Sequence, residues 1–184
     1  FGKTLNQNDQ YEVSECYFDM FDVMIPSGVF QAIDTHRIKD WDKVSNLTKT
    51  GMLTPGSSVG QGDAPVRQIW VDKDGKRTDG PSRYISAVPG WHNADSLGYN
   101  PEDTGRPIES WAELFSSDFR GRVALLNVPQ IGAMDAAMGV EALGLIKFGD
   151  KGNMTRKEID FLVDFLIKKK KEGHFRAFWE TFGQ

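Results

Sequence analysis

The sequence predicts an α/β fold, and three observations carry that reading. Short apolar runs closed by Pro or Gly recur along the chain: Phe21-Asp22-Val23-Met24-Ile25 before Pro26, Tyr84-Ile85-Ser86-Ala87-Val88 before Pro89-Gly90, and Val123-Ala124-Leu125-Leu126 before Asn127-Val128-Pro129. Helical patterns lie between and after these runs with their own start signals: Ser110 three residues before Glu113, and Thr155 three residues before Glu158. The 184 residues are 39% hydrophobic and 11% aromatic, enough for one ordinary core or two small ones.

Composition excludes several functions. The net charge is −4, with Lys and Arg dispersed except at Lys168-Lys169-Lys170-Lys171, whereas nucleic-acid-binding domains carry a clustered basic face. The Lys run ends a helical pattern, where cations meet the negative end of the helix dipole. Cys16 is the single cysteine, so no intramolecular disulfide and no cysteine pair for structural zinc can form. It reads as a small buried hydrophobe. No apolar run has the length of a membrane span, and Phe1-Gly2-Lys3 does not open a signal peptide.

In chain order, residues 1–10 are polar and without period. Residues 11–18 alternate weakly, as a strand would. Residues 21–25 read as a buried parallel strand stopped by Pro26. Strand ends of this kind hold ligands at the carboxyl edge of open α/β sheets, which makes Ser27 and Gly28 candidate contacts; a plain turn is the other reading. Asp34, His36, Asp40 and Asp42 fit neither a zinc-protease motif nor a calcium loop, so residues 33–47 read as a connector anchored by Trp41. Gly60-Gln61-Gly62 lacks the Lys-Ser/Thr pair of a phosphate loop. Asp74-Gly75 is the strongest hairpin signal in the chain, with Asp72, Asp74 and Asp79 serving solubility.

Residues 84–127 concentrate the chemistry. Trp91, His92, Asn93 and Asp95 follow the turn at Pro89-Gly90. One reading is an enzyme, a hydrolase or transferase with His92 as base and Asp95 as its orienter. Alternation along an extended segment puts those two side chains on opposite faces. The other reading is a binding cleft with Trp91 as stacking platform and Asn93 and Asp95 as polar anchors. Trp91 packing beneath a turn is equally open. Ser110 with Glu113 forms a capping box that buries Trp111 and Leu114. A strand over residues 122–126 runs into Asn127-Val128-Pro129-Gln130, and residues 133–145 form a small-residue helix whose first N–H groups suit an anion. Thr155 with Glu158 opens an amphipathic helix with Ile159, Leu162, Val163, Leu166 and Ile167 as its core face and Gly173 as its stop. His174 reads as structural, and Trp179 reaches for the cleft.

The order of these phrases carries a resemblance. A strand, Val88-Pro89, a strand ending Gly98-Tyr99-Asn100, a Pro-rich link, Ser110-Trp111-Ala112-Glu113-Leu114 and Gly121-Arg122-Val123-Ala124-Leu125 together resemble the extracellular solute-binding proteins (family 1) of ABC transporters, in the branch of spermidine/putrescine-binding proteins. Residues 21–28 and 169–179 add to the match, which runs from about Phe21 onward. The resemblance implies an α/β, periplasmic-binding-protein-like (type II) fold of two lobes joined by a hinge. Residues 1–97 would supply the first lobe with its crossover strand, and residues 98–184 the second. Segments of both lobes are expected to be missing, so the chain is expected to be incomplete.

The function the resemblance implies is capture of a small solute and its delivery to ABC transporter permease subunits. It implies a periplasmic, exported monomer that needs no cofactor or metal and makes no bond. The implied ligand-binding residues are Ser27, Gly28, Trp91, Asn93, Asp95, Asn127, Gln130 and Trp179. Polyamine-binding relatives place carboxylates in the loop that here reads Asn127 to Gln130, where no acid occurs before Asp135. The lineage therefore implies a polyamine, and the loop a neutral, zwitterionic or anionic solute.

Overall fold

The computed structural model describes residues 6–10, 12–59, 64–90 and 95–180. The chain is mixed α/β and divides into two compact units, Phe1–His92 and Asn93–Gln184. Among the described residues no helix is long and apolar enough to cross a membrane.

In the first unit, residues 13–17 are irregular and lead through a 3-10 turn at Phe18–Met20 into helix α1, Phe21–Met24. The run expected to be a buried strand is thus helical. Its burial explains why: Phe21, Met24 and Ile25 are buried while Val23 is half exposed, the i, i+3, i+4 period of a helix face. A strand buried on both faces would bury Asp22 with them; the helix instead turns it outward to Arg77, 2.7 Å away.

Strands β1 (Ile33–Asp34), β2 (Trp70–Val71) and β3 (Tyr84–Ile85) form an antiparallel sheet with β3 in the middle. Between β1 and β2 lie α2 (Asn46–Thr50) and α3 (Pro65–Gln68). Trp41 packs edge-on to Trp70 at 5.8 Å, as its anchoring role requires. The expected turn at Asp74-Gly75 is present. Asp72 Oδ1 accepts from the N–H groups of Asp74 and Lys76, both at 2.9 Å, so this carboxylate holds the turn together.

The second unit is built around a parallel strand pair. Asn100 caps α4 (Pro101–Thr104), and Ser110 caps a 3-10 turn over Trp111–Phe115. Glu113 does not complete a box with Ser110; its carboxylate takes two hydrogen bonds from Arg106, at 2.6 and 2.7 Å. Leu114 and Phe115 are the buried residues of this turn, and Trp111 is half-buried. Strand β4 (Val123–Leu126) is followed by α5 (Pro129–Ala142), α6 (Arg156–Lys171) and β5 (Phe175–Trp179), which pairs parallel with β4.

Helix α5 begins earlier than its small residues suggest because Pro129 takes the first helical position, which its fixed φ suits. Gly132, Ala136, Ala137, Gly139 and Val140 form its buried face. A Cβ on Gly132 would sit 2.0 Å from the carbonyl oxygen of Leu126, and one on Gly139 2.7 Å from the ring of Phe115. These two glycines set how close α5 lies to β4 and to the 3-10 turn. Thr155 and Glu158 make the expected capping box on α6. Its end is a Schellman motif: Gly173, at φ +70°, donates to Lys170 O, and His174 N donates to Lys169 O, each at 3.0 Å. His174 is then buried, its Nε2 2.9 Å from Leu114 O. The apolar face of α6 is narrower than its sequence suggests: Leu162 is 3% exposed, while Ile159, Val163 and Ile167 are 43%, 45% and 45% exposed.

Gly132→Ala is expected to force α5 away from β4, because the obstructing atom is backbone and cannot rotate aside. A loss of about 2 kcal/mol, read as a lower Tm in thermal unfolding, is the expected outcome. An unchanged Tm would show that the helix-strand contact is not that close.

Candidate functional site

Along β4, and from Arg176 to Trp179 of β5, the second unit holds a cavity of about 780 Å³. That is within the range of small-molecule sites, and one end of it reaches the carboxyl edge of the parallel strands, where open α/β folds place ligands. Leu126 and Trp179, the last residues of the two strands, line it. The extended segment Asp95 to Asn100 forms another wall, with Tyr99 partly exposed. Trp111 and Phe119 add aromatic surface, and Asp135 enters from the second turn of α5.

The strand pair also aims a cation at the cavity. Val123 pairs with Phe175 but Ala124 pairs with Ala177, so Arg176 has no partner across the ladder. A bulge of this kind re-aims the side chain of its extra residue, and Arg176 lines the cavity. Arg122, also at the wall, is occupied by backbone: its guanidinium donates to Asp118 O at 2.8 Å and to Asp103 O at 3.4 Å.

Asp135 is the chemically distinct group. Its Oδ1 is buried and accepts no hydrogen bond among the described residues. Burial first, and the charge of Asp95 second, push its carboxyl up to about 6. By contrast, the hydrogen bonds from Arg106 hold Glu113 below the usual carboxylate range. The cavity thus sets Asp95 and Asp135, beside the hydrogen-bonded carboxylates of Asp103 and Glu113, against tryptophan and tyrosine faces. Such a set can accept N–H donors and cover an organic cation.

Of the residues expected to bind a ligand, the structure brings Asp95 and Trp179 together in this cavity. Asn127 lies one residue beyond β4 and extends its ladder, donating from its backbone to Trp179 O at 2.7 Å and from Nδ2 to Glu180 Oε1 at 2.6 Å. Gln130 is exposed in the first turn of α5 and does not line the cavity. Ser27 and Gly28 belong to the first unit and close the turn after α1. The Ser27 hydroxyl donates to Val23 O at 2.7 Å and Gly28 N to Ile25 O at 3.0 Å, with φ +68° at Gly28. They do not stand at a strand end, so the strand-end argument for a ligand there does not hold. Trp91, His92 and Asn93 lie outside the described residues.

The helix start expected to bind an anion is mostly spent. Pro129 has no N–H, and Ile131 and Gly132 both donate to Val128 O, at 3.0 and 2.8 Å. Asp135 was not among the expected contacts. The signal was present: it lies three residues after Gly132 and four before Gly139, a charged residue among the small residues of a buried face. Cys16, half-buried in the first unit, has its thiol pushed up by burial, in keeping with its reading as a hydrophobe.

No family model, curated protein or solved structure matches the chain.

Raising the Asp135 carboxyl from 3.8 to about 6 means that the folded protein prefers it protonated. Its favourable contribution is complete below pH 3.8 and lost as pH rises through 6. Asp135→Asn removes that loss. The variant is expected to be more stable than the parent at pH 7.5, by about 1 kcal/mol after allowance for solvent screening, and no more stable at pH 3.5. Thermal unfolding at the two pH values checks this; equal Tm values at pH 7.5 would contradict it.

Proposed function

We propose that this chain is the substrate-binding component of an ABC importer, which captures a small nitrogenous solute and delivers it to permease subunits in the membrane. The observation that carries the proposal is the cavity along β4 and β5, which Asp95, Asp135 and Trp179 line together. Its size suits a metabolite rather than a macromolecule. The sequence resemblance to spermidine/putrescine-binding proteins supports the same reading, and a type II architecture of two lobes and a hinge is part of the proposal. On this view the protein is exported to the periplasm, acts as a monomer, and works by binding alone.

The ligand follows from the charges at the cavity. Four acids line the cavity against two arginines, Arg122 and Arg176, which favours an ammonium group over an anion, and the near-absence of spare N–H groups at the start of α5 weighs the same way. A polyamine fits this pattern. A zwitterion also fits, with Arg176 meeting its carboxylate. The aromatic faces of Trp179 and Tyr99 would cover the aliphatic stem of either.

A thermal-shift screen against putrescine, spermidine, amino acids, betaines and small dicarboxylates tests the proposal. Ligand that binds only the native state at a hundredfold excess over its Kd stabilises by about 2.7 kcal/mol. Stabilisation by amines, and its reduction at least tenfold in affinity by Trp179→Ala, is expected. A response to dicarboxylates alone would reverse the assignment of ligand charge. Silence across the panel would sink the solute-binding reading.

A further inference from the structure

We propose that Asp135 is the residue that grips the solute's ammonium group, and that it releases a proton in doing so, which couples capture to pH. The inference rests on the cavity being a solute site. Its ground is the buried Oδ1 of Asp135, which has no hydrogen-bond partner among the described residues. Buried carboxylate oxygens are nearly always satisfied, so the missing donor is expected from whatever enters the cavity.

The other acids there are differently placed. Glu113 is closed by Arg106, Asp103 accepts from Asn100 Nδ2 at 2.8 Å, and Asp95 is exposed. Asp135 alone combines a cavity position with a buried, unmet oxygen.

The charged groups around it decide its protonation. Asp95, Asp103, Glu113, Arg122 and Arg176 line the same cavity. Only Asp95 among them acts on Asp135, and it acts in the same direction as burial, toward the neutral acid. Among the described residues no Arg or Lys is a cause of the shift. An ammonium group brings the opposite charge and three donors at once. The carboxylic acid then ionises, its proton leaves to solvent, and the carboxylate accepts N–H bonds from the ligand. With an acid titrating at about 6, the apparent Kd for an amine rises about tenfold from pH 8 to pH 5.

Calorimetry of the full chain with putrescine, used as a simple diamine, tests this in buffers of different ionisation enthalpy. The expected result is release of about half a proton per ligand at pH 6 and almost none at pH 8. Asp135→Asn is expected to abolish the release, weaken binding at pH 8 at least tenfold and flatten the pH dependence. Asp95→Asn keeps the release but moves its midpoint to lower pH, an effect that a merely structural role for Asp135 would not produce. Saturable binding with buffer-independent heat at pH 6 would overturn the proton exchange while leaving the solute-binding reading intact. Absence of saturable binding by any amine would overturn both, and needs no variant to be seen.

Discussion

The close approach of α5 to β4 is the constraint on which the second unit depends. Two positions without side chains, Gly132 and Gly139, let a helix backbone lie against the Leu126 carbonyl on one side and the Phe115 ring on the other. Ala136, Ala137 and Val140 fill the remainder of that seam, and Leu125, Phe148 and Leu162 complete the core. The parallel pairing of β4 with β5 is built against the same core, because Val123 and Phe175 pack on it. The cavity lies beside this seam, bounded by β4 along its length and by Ile131 and Asp135 of α5.

Local signals explain which elements were legible in the sequence. Helix α6 was readable at both ends because a capping box and a glycine in the left-handed conformation are decided by neighbours a few residues away. The turn at Asp74-Gly75 and strand β4 were readable for similar reasons. Residues 21–25 were not, since five apolar-rich residues satisfy a strand and a helical turn equally well. What decides between them is Asp22, whose place opposite Arg77 depends on residues 55 positions away in sequence. The face of α6 was overestimated because Ile159, Val163 and Ile167 have helical spacing whether or not anything covers them.

The site was legible only in part, and the division is physical. Trp179 ends strand β5, and Asp95 was singled out by the clustering of polar and aromatic residues after Pro89-Gly90, although the strand expected to end at Gly98-Tyr99-Asn100 is not formed. Gln130 was placed in a loop when it begins a helix; Pro129, compatible with both, hid the boundary. Asp135 was passed over because it lies inside the helix and the carboxylates were sought in the loop before it. Its neighbours at helical spacing are glycines and alanines, and small residues mark where something else comes close. Arg176 could not be found from sequence at all, because its direction comes from a shift of pairing between Val123 and Ala124.

Placing the deciding carboxylate on α5 separates two properties that loops usually combine. The segment from Asp95 to Asn100 walls the cavity on one side, while the buried carboxylate rides on a rigid helix turn. Insertions or exchanges between Ser96 and Asn100 would change what size of molecule enters without moving that carboxylate. Conversely, one substitution at Asp135 would change the charge of the cavity on an unchanged scaffold. A fold arranged in this way can diversify its cargo along two independent axes, shape and charge.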